Sequence, residues 1–378
     1  MHNRRLPEIE NHLAALRHKR GLSAAWLAKA AGTSRQTIYA IEAGTYIPNT
    51  VVALRMARAL ETGVESLFTL GGEGPVPDLP SAHVALLPGS GLLEAGQPVQ
   101  LCRIEERLVA SAPSPVRWYL PVGDAIVAAP PGAGRKTKVH IYHPDGDFRN
   151  RILVAGCDPG ISVLARHVQP AGVQLVLAHR NSSRALALLK EGAVHIAGTH
   201  LQDERSGESN IPEIGRIFPK NRVAVISFAV WEEGILTARG NPKAVRGIED
   251  LARKDVRLIN REQGSGSRRL LDTHLKRLKI AAGAVAGYRD LASGHLAAAW
   301  QVRTGAADCC VATRAAARLL GLDFLPLASE RYDLVIRRRH LDFPPMQALL
   351  DTLSRSSFRR ELESAGGYDT RAAGQRLL

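Results

Sequence analysis

Cysteine is scarce in this chain: four in 378 residues, Cys102, Cys157, Cys309 and Cys310. No CxxC pair occurs, and the vicinal Cys309 and Cys310 are badly placed for a shared metal or an ordinary disulfide, so the four read as small buried strand residues. Long apolar runs are missing too. Nothing approaches the ~18–20 residues of a membrane span, and the opening MHNRRLPEIENHL has no apolar region of the kind an export signal needs. Both absences point to a cytoplasmic protein without a membrane partner. No GxxxxGK[ST] loop and no GxGxxG before a helix occur, which argues against nucleotide hydrolysis and dinucleotide use; HLQDE and AHRN lack metal-ligand spacing such as HExxH.

Positive charge, by contrast, is plentiful. The net charge is +14, which favours polyanionic partners, nucleic acid first. It is spread unevenly: residues 1–75 hold nine Lys/Arg against six Asp/Glu, residues 76–150 seven of each, and residues 151–378 34 against 23. The length allows two or three domains, and a 45% hydrophobic, 23% charged composition is that of a globular chain.

The first 70 residues carry helix punctuation. Residues 8–20 read as a helix with Ile9, Leu13 and Leu16 on one face, ended by Gly21. Ser23 is an N-cap for AAWLAKAA, Gly32 makes a turn, Thr33 or Ser34 caps a third helix through Gly44, and Asn49 or Thr50 opens a fourth. Two short helices joined through a Gly turn are a helix-turn-helix pattern. The stretch holding Leu27-Ala28, Gly32, SRQTI at 34–38, Ile41-Glu42, Tyr46-Ile47-Pro48 and ALRMA resembles the phage-repressor (XRE-type) helix-turn-helix family over nearly all of residues 8–68. The resemblance implies a homodimer on a double-stranded, roughly palindromic operator, with the third helix in the major groove. It places Arg35, Gln36 and Ala40 toward the groove, Ser34 and Thr37 beside them, and Asn49 near phosphate. Arg can read guanine and Gln adenine. Ala24 stands where the family usually has Gln, which shifts phosphate contact toward backbone N–H groups, Lys29 or Asn49.

GGEGPVPDLP at 71–80 is a linker. Residues 81–150 show about five short apolar runs broken by turns and read as a small β-rich module that couples its neighbours or supports dimerisation, with Trp118, Tyr119 and the basic loop PPGAGRKTK as an alternative nucleic-acid or ligand surface. From 151 to 378 strands and helices alternate, which implies α/β architecture with mostly parallel sheets. Three strand-to-helix turns, CDPGIS, HRNSS and REQGSGSR, carry small polar residues. Ligands of open α/β sheets bind outside the carboxyl ends of strands, and helix N-termini meeting there hold anions.

AGCDPG (155–160), EGAVHIAGTHLQD (191–203), GESN (207–210), NREQGSGSR (260–268), GAAD (305–308), LPLASERYDLVI (325–336) and GGYD (366–369) give this region a resemblance to the type II periplasmic-binding-protein fold, and within it to the cytoplasmic domain related to molybdate-binding proteins. The resemblance implies two lobes, 151–222 plus the C-terminal helix and 240–322, hinged near 223–238 and 325–336, that close on a small anionic effector. It names molybdate or tungstate; residue spacing alone says only a small anion or polar metabolite. The ligand set expected is Ser182, Ser183, Thr199, His200, Arg261, Gly264, Ser265, Gly266, Ser267 and Arg268. Plainer roles stand beside it: helix capping for Ser182 and Ser183, a satisfied structural histidine at His200, an i,i+4 ion pair from Arg268 to Asp272, a bare turn for Gly264 and Gly266. Asn181 stands where relatives tend to have small residues.

The whole therefore reads as a multidomain protein: an all-α head, a β-rich module and a two-lobed α/β ligand-sensing domain, together a ligand-responsive transcriptional regulator. No metal site, catalytic residue or cofactor is expected. GSGSR superficially resembles a G-x-S-x-G nucleophile elbow, but Arg replaces its final Gly and nothing ties His295 and Asp308 to Ser265. The alternatives are an organic effector, a molybdenum-cofactor enzyme with a DNA-binding head, and an α/β domain that is only a dimerisation scaffold.

Overall fold

Ser23, Ser34 and Asn49 punctuate the first unit as helix caps. Each has extended backbone, and its side-chain oxygen accepts the backbone N–H three residues on, from Trp26, Thr37 and Val52. The computed structural model describes residues 9–70, 81–89, 93, 95, 97–112, 123–130, 136–143, 148–203 and 206–378. The linker 71–80, Trp118, Tyr119 and most of the basic loop before Lys136 lie outside the described residues. The chain divides into two units, 1–79 and 80–378.

In the first unit, α1 (Leu13–Lys19), α2 (Ala24–Ala31), α3 (Arg35–Glu42), α4 (Thr50–Ala59) and α5 (Val64–Leu67) enclose Leu13, Leu27, Ile38, Ile41, Met56, Leu60 and Leu67. Gly32 takes the left-handed conformation (φ 67°) that ends α2. The helix expected from residue 8 starts later. Ile9–Asn11 form strand β1, antiparallel to β2 (Phe68–Leu70), and Asn11 Oδ1 accepts the Leu13 N–H at 2.9 Å. Strand pairing supplies the hydrogen-bond partners that a helix would otherwise give this segment. Arg17 forks onto Glu42, Nε to Oε1 at 2.6 Å and Nη2 to Oε2 at 3.0 Å, and ties α1 to α3.

The second unit begins with a closed barrel of β3 (Ser81–Leu86), β4 (Pro98–Ile104), β5 (Arg107–Ser111), β6 (Ala125–Val127) and β7 (Lys136–Ile141), in the order β3-β5-β4-β6-β7. Val84, Val99, Leu101, Ala110, Val127 and Val139 fill it. Leu87, Cys102 and Val109 share an apolar cluster with Leu153, Val176 and Leu186 of the next region, and Arg107 Nη2 donates to Gly192 O at 2.7 Å.

The α/β region runs β8 (Arg151–Gly156), α6 (Ile161–Val168), β9 (Gln174–His179), α7 (Ser182–Glu191), β10 (Ile196–Thr199), α8 (Ile211–Ile217), β11 (Val223–Thr237), β12 (Leu258–Arg261), α9 (Gly266–Arg277), β13 (Leu291–Ala292), α10 (His295–Arg303), β14 (Cys309–Thr313), α11 (Arg314–Leu320), β15 (Asp323–Arg337), α12 (Pro344–Ser354), α13 (Ser356–Ser364) and β16 (Tyr368–Asp369). The sheet order is β13-β12-β14-β11-β15-β10-β8-β9, with β16 on β11. β8, β9 and β10 pair in parallel in one lobe; β12, β13 and β14 do so in the other. The long strands β11 and β15 pair with each other in antiparallel register from Val223 opposite Arg337 to Thr237 opposite Asp323 and pass through both lobes. The sheet is therefore mixed, because the two crossovers are strands rather than helices. Helices α12 and α13 return to the first lobe, where Met346, Leu353 and Phe358 pack on Ile161 and Leu164. No helix among the described residues is long and apolar enough to cross a membrane. The four cysteines are free and buried.

Candidate functional site

Two surfaces carry chemistry, one in each unit. In the head, Ser34, Arg35 and Gln36 are exposed at the start of α3, and Thr37 and Ala40 are half-buried on it. Ser34 and Asn49 spend their side-chain oxygens on capping. Arg35 lies against Tyr39, with Nη2 3.0 Å from the phenol oxygen and the guanidinium 5.4 Å from the ring centroid. Tyr39 is exposed on this helix and was not anticipated. Its i,i+4 spacing from Arg35 was the available signal.

In the α/β region the lobes are in direct contact. The Ser183 N–H donates to Gly264 O at 3.3 Å, and Asn181 Nδ2 donates to Gln263 O at 3.2 Å. Asn181, not Ser182, caps α7, accepting the Arg184 N–H at 3.0 Å. Ser182 is freed to accept the His200 N–H at 3.1 Å. Gly264 (φ 90°) makes the turn. Gly266 is needed for close approach instead, since a β-carbon there would overlap the His200 ring and carbonyl. At Gly294 it would overlap the His179 ring. Bare backbone from the second lobe thus meets a histidine of the first at two places.

The remaining expected residues divide. Ser265 caps α9 and donates to Glu262 O at 2.9 Å. Its hydroxyl therefore faces backbone, and Asp308 is occupied by the Arg257 N–H at 2.7 Å, far from the arrangement of a catalytic triad. Arg268 pairs with Asp272 (3.2 Å) and stacks over Tyr288 (4.0 Å). Thr199 faces Asn210 at 3.3 Å. His200, Arg261 and Ser267 converge instead on a buried centre. Ser267 Oγ donates to Glu233, and Arg261 Nη1 reaches Ser267 Oγ at 3.4 Å while Nε and Nη2 hold the Glu262 carboxylate at 3.0 and 3.2 Å.

Four partners at that centre were not anticipated: Cys157, Glu233, His295 and Glu330. His200 Nδ1 lies 2.7 Å from Glu330 Oε2 and 3.8 Å from Glu233 Oε2; its Nε2 lies 3.4 Å from Cys157 Sγ. His295 Nε2 lies 3.9 Å from the same sulfur, and its Nδ1 3.6 Å from Glu233 Oε1. Cys157 follows β8, and His295 opens α10. Glu233 sits where the β11–β15 register shifts between Glu233 and Gly234. Such bulges re-aim side chains. The sequence signal was clearest for Glu233, one of two adjacent glutamates in the otherwise apolar β11; Glu330 stands among the other charged residues of β15 and had none.

Burial, then the neighbouring Glu330, pushes the Glu233 carboxyl up to about 8, and burial pushes Glu330 up to about 7. At neutral pH the pair therefore retains a proton. Burial drives His295 well below the usual imidazole range. Burial also opposes charge on His200, but Cys157 and Glu233 outweigh it and raise the imidazole. Beside Cys157 and His295 opens a cleft of about 700 Å³, lined also by Asp158, His179, Gly294 and Trp300.

Comparison with known proteins agrees with both units. Residues 165–354 match the PBP superfamily domain, and residues 11–67 a helix-turn-helix domain. The chain is 31% identical over 249 residues to the uncharacterized protein YvgK of Bacillus subtilis (strain 168), covering 66% of this chain and 80% of that one. Over 65 residues, 17% of this chain and 98% of the relative, it is 35% identical to the uncharacterized HTH-type transcriptional regulator YgzD of Bacillus subtilis (strain 168). Among solved structures, the sulfate-binding protein SubI from Mycobacterium tuberculosis H37Rv overlaps 58% of this chain and 86% of its own, with 16% identity and a TM-score of 0.44.

Proposed function

We propose, from the premise that this chain belongs to the PBP superfamily and carries a helix-turn-helix domain, that it is a cytoplasmic transcription regulator whose two-lobed domain closes on a small effector and thereby sets how the head binds DNA. The observation that carries this is the seam itself: Ser183 and Asn181 hydrogen-bond across to Gly264 and Gln263 over a buried polar centre. A ligand held there has different contacts in the open and closed forms, which is the only way a ligand shifts such an equilibrium. Relatives named as HTH-type regulators and a fold that binds rather than transforms its ligand favour a sensor over an enzyme.

For the effector, molybdate or tungstate is the anion we propose. Support comes from the N-termini of α7 and α9 meeting at the seam. For the head, an XRE-type homodimer is proposed, with Arg35 and Gln36 reading bases. Exposed Tyr46, Ile47, Val51 and Leu54 support self-association through that face.

Calorimetric titration of the purified chain with molybdate, tungstate, sulfate, phosphate and small carboxylates, at fixed salt, tests the effector. Saturable binding of molybdate or tungstate with sulfate weak is expected. Binding of a carboxylate alone would replace the oxyanion with an organic effector.

A further inference from the structure

We propose that Cys157, His200 and His295 form a binding site for a zinc-class divalent metal ion that joins the two lobes, with its open position toward the cleft. This rests on the proposal above that the space between the lobes is the effector site. The three side chains are 3%, 1% and 0% exposed. Their donor atoms lie within 4.8 Å of one another. Metal–sulfur and metal–nitrogen bonds near ~2.3 and ~2.0 Å put adjacent donors of a tetrahedral site about 3.5 Å apart. The sulfur-to-imidazole distances here, 3.4 Å to His200 Nε2 and 3.9 Å to His295 Nε2, bracket that edge.

The opposite sides of the two rings carry the second observation. Each imidazole turns Nε2 toward Cys157 and Nδ1 toward a carboxylate: His200 toward Glu330 at 2.7 Å, His295 toward Glu233 at 3.6 Å. Carboxylates behind metal-bound histidines fix the tautomer and the ring orientation. Among the described residues the His295 Nδ1 and Glu233 Oε2 atoms are buried without a hydrogen-bond partner, a cost in free energy; an ion on Nε2 would polarise the Nδ1–H toward Glu233 and offset part of it.

The donor types decide the ion. Arg261, beside them, is paired with Glu262 at 3.0 Å. A thiolate with two imidazoles favours a borderline-soft transition metal over calcium or magnesium. Three protein donors leave the fourth position of a tetrahedral ion open. Cys157 and His295 line the 700 Å³ cleft, so water or the anionic effector would fill that position. The donors also straddle the seam. Cys157 and His200 belong to the first lobe and His295 to the second, so the full set assembles only on closure.

The test uses the full chain, freed of metal by a chelator. Titration with cobalt(II) should give one ion per site, with thiolate-to-cobalt charge-transfer absorption in the near ultraviolet and the intense visible bands of tetrahedral cobalt; zinc should displace it. Cys157→Ser, nearly isosteric, should remove the charge-transfer band. His295→Gln should weaken zinc binding by at least about tenfold, and Glu330→Gln by about 10–100-fold, as at other second-sphere carboxylates. Absence of the band from the wild-type chain, or its persistence in Cys157→Ser, overturns the site. The wild-type spectrum needs no variant to fold. Operator affinity read in the same samples separates the two proposals. A cobalt–thiolate band without any change in DNA binding upholds the metal site and removes its role in regulation.

Discussion

Gly266 of the second lobe lies flush against His200 of the first, so close that a β-carbon at Gly266 would overlap the imidazole and the His200 carbonyl. Its backbone is helical, so alanine is conformationally acceptable there and the clash is with the opposite lobe alone. Gly266→Ala is therefore expected to hold the lobes apart. Effector affinity should fall by about tenfold or more, a step of about 1.4 kcal/mol, while the melting of the head is unchanged. Unchanged effector affinity would mean that closure does not bring these residues together.

Arg35 is exposed at the first turn of α3 and leans on Tyr39. Arg35→Ala should cost about 1–3 kcal/mol at one operator position and relax specificity there. Binding measured against a panel of single-base operator variants checks this. An equal loss on every sequence would make Arg35 a phosphate contact.

Arg17 and Glu42 form a forked ion pair whose side chains are 8% and 10% exposed. Breaking one side leaves the other buried and unpaired, at a cost of about 3–5 kcal/mol. Glu42→Ala should lower the melting temperature of the head and abolish DNA binding, with ligand binding by the other unit preserved. A loss under about 1 kcal/mol in denaturant titration would show that water reaches the pair.

His195 sits where the barrel meets the first lobe. Its Nδ1 accepts the Leu153 N–H at 3.0 Å, Cys102 Sγ lies 3.9 Å away, and the His340 ring stands edge-on at 5.3 Å. Burial, with His340 adding to it, pushes His195 down to about 3; burial also lowers His340, against the pull of Glu105. A depressed histidine binds fewer protons folded than unfolded, so stability is complete above the ordinary imidazole range near 6.5 and is lost as pH falls toward 3. The slope from His195 should approach about 1.4 kcal/mol per pH unit. Denaturant titrations of wild type and His195→Gln between pH 7 and 4.5 should diverge by that slope; parallel curves would contradict it.

Local chemistry was legible in the sequence wherever one residue decides one turn. Ser23, Ser34 and Asn49 cap the helices they punctuate, and Gly32 and Gly264 take the left-handed turns that only glycine adopts cheaply; Ser265, expected at the ligand, caps α9. The alternation of strands and helices gave the α/β class for the same reason. The segment from Ile9 to Asn11 was misread because its partner, Phe68–Leu70, is remote, and pairing with it overrode the helical periodicity. The buried centre was only half legible. Ser182, Arg261, Gly266 and Ser267 stand in two of the polar turns that mark it, Cys157 opens the third, and His200 directly follows a strand. Cys157, Glu233, His295 and Glu330 come from four separate elements, joined by sheet order rather than by spacing, and a cysteine at the end of an apolar strand looks like any small core residue. Asn181 hid a role as well: by capping α7 it released Ser182 to bind the His200 backbone.

The central claim is coupling between the lobes and the head. Its most direct test is the affinity of the full chain for an operator selected from random DNA, measured at fixed salt with and without saturating molybdate, tungstate or zinc. We predict a change of about 5–150-fold with at least one of them, the usual range of allosteric coupling. An effector that demonstrably saturates the chain yet leaves DNA affinity unchanged would contradict the account.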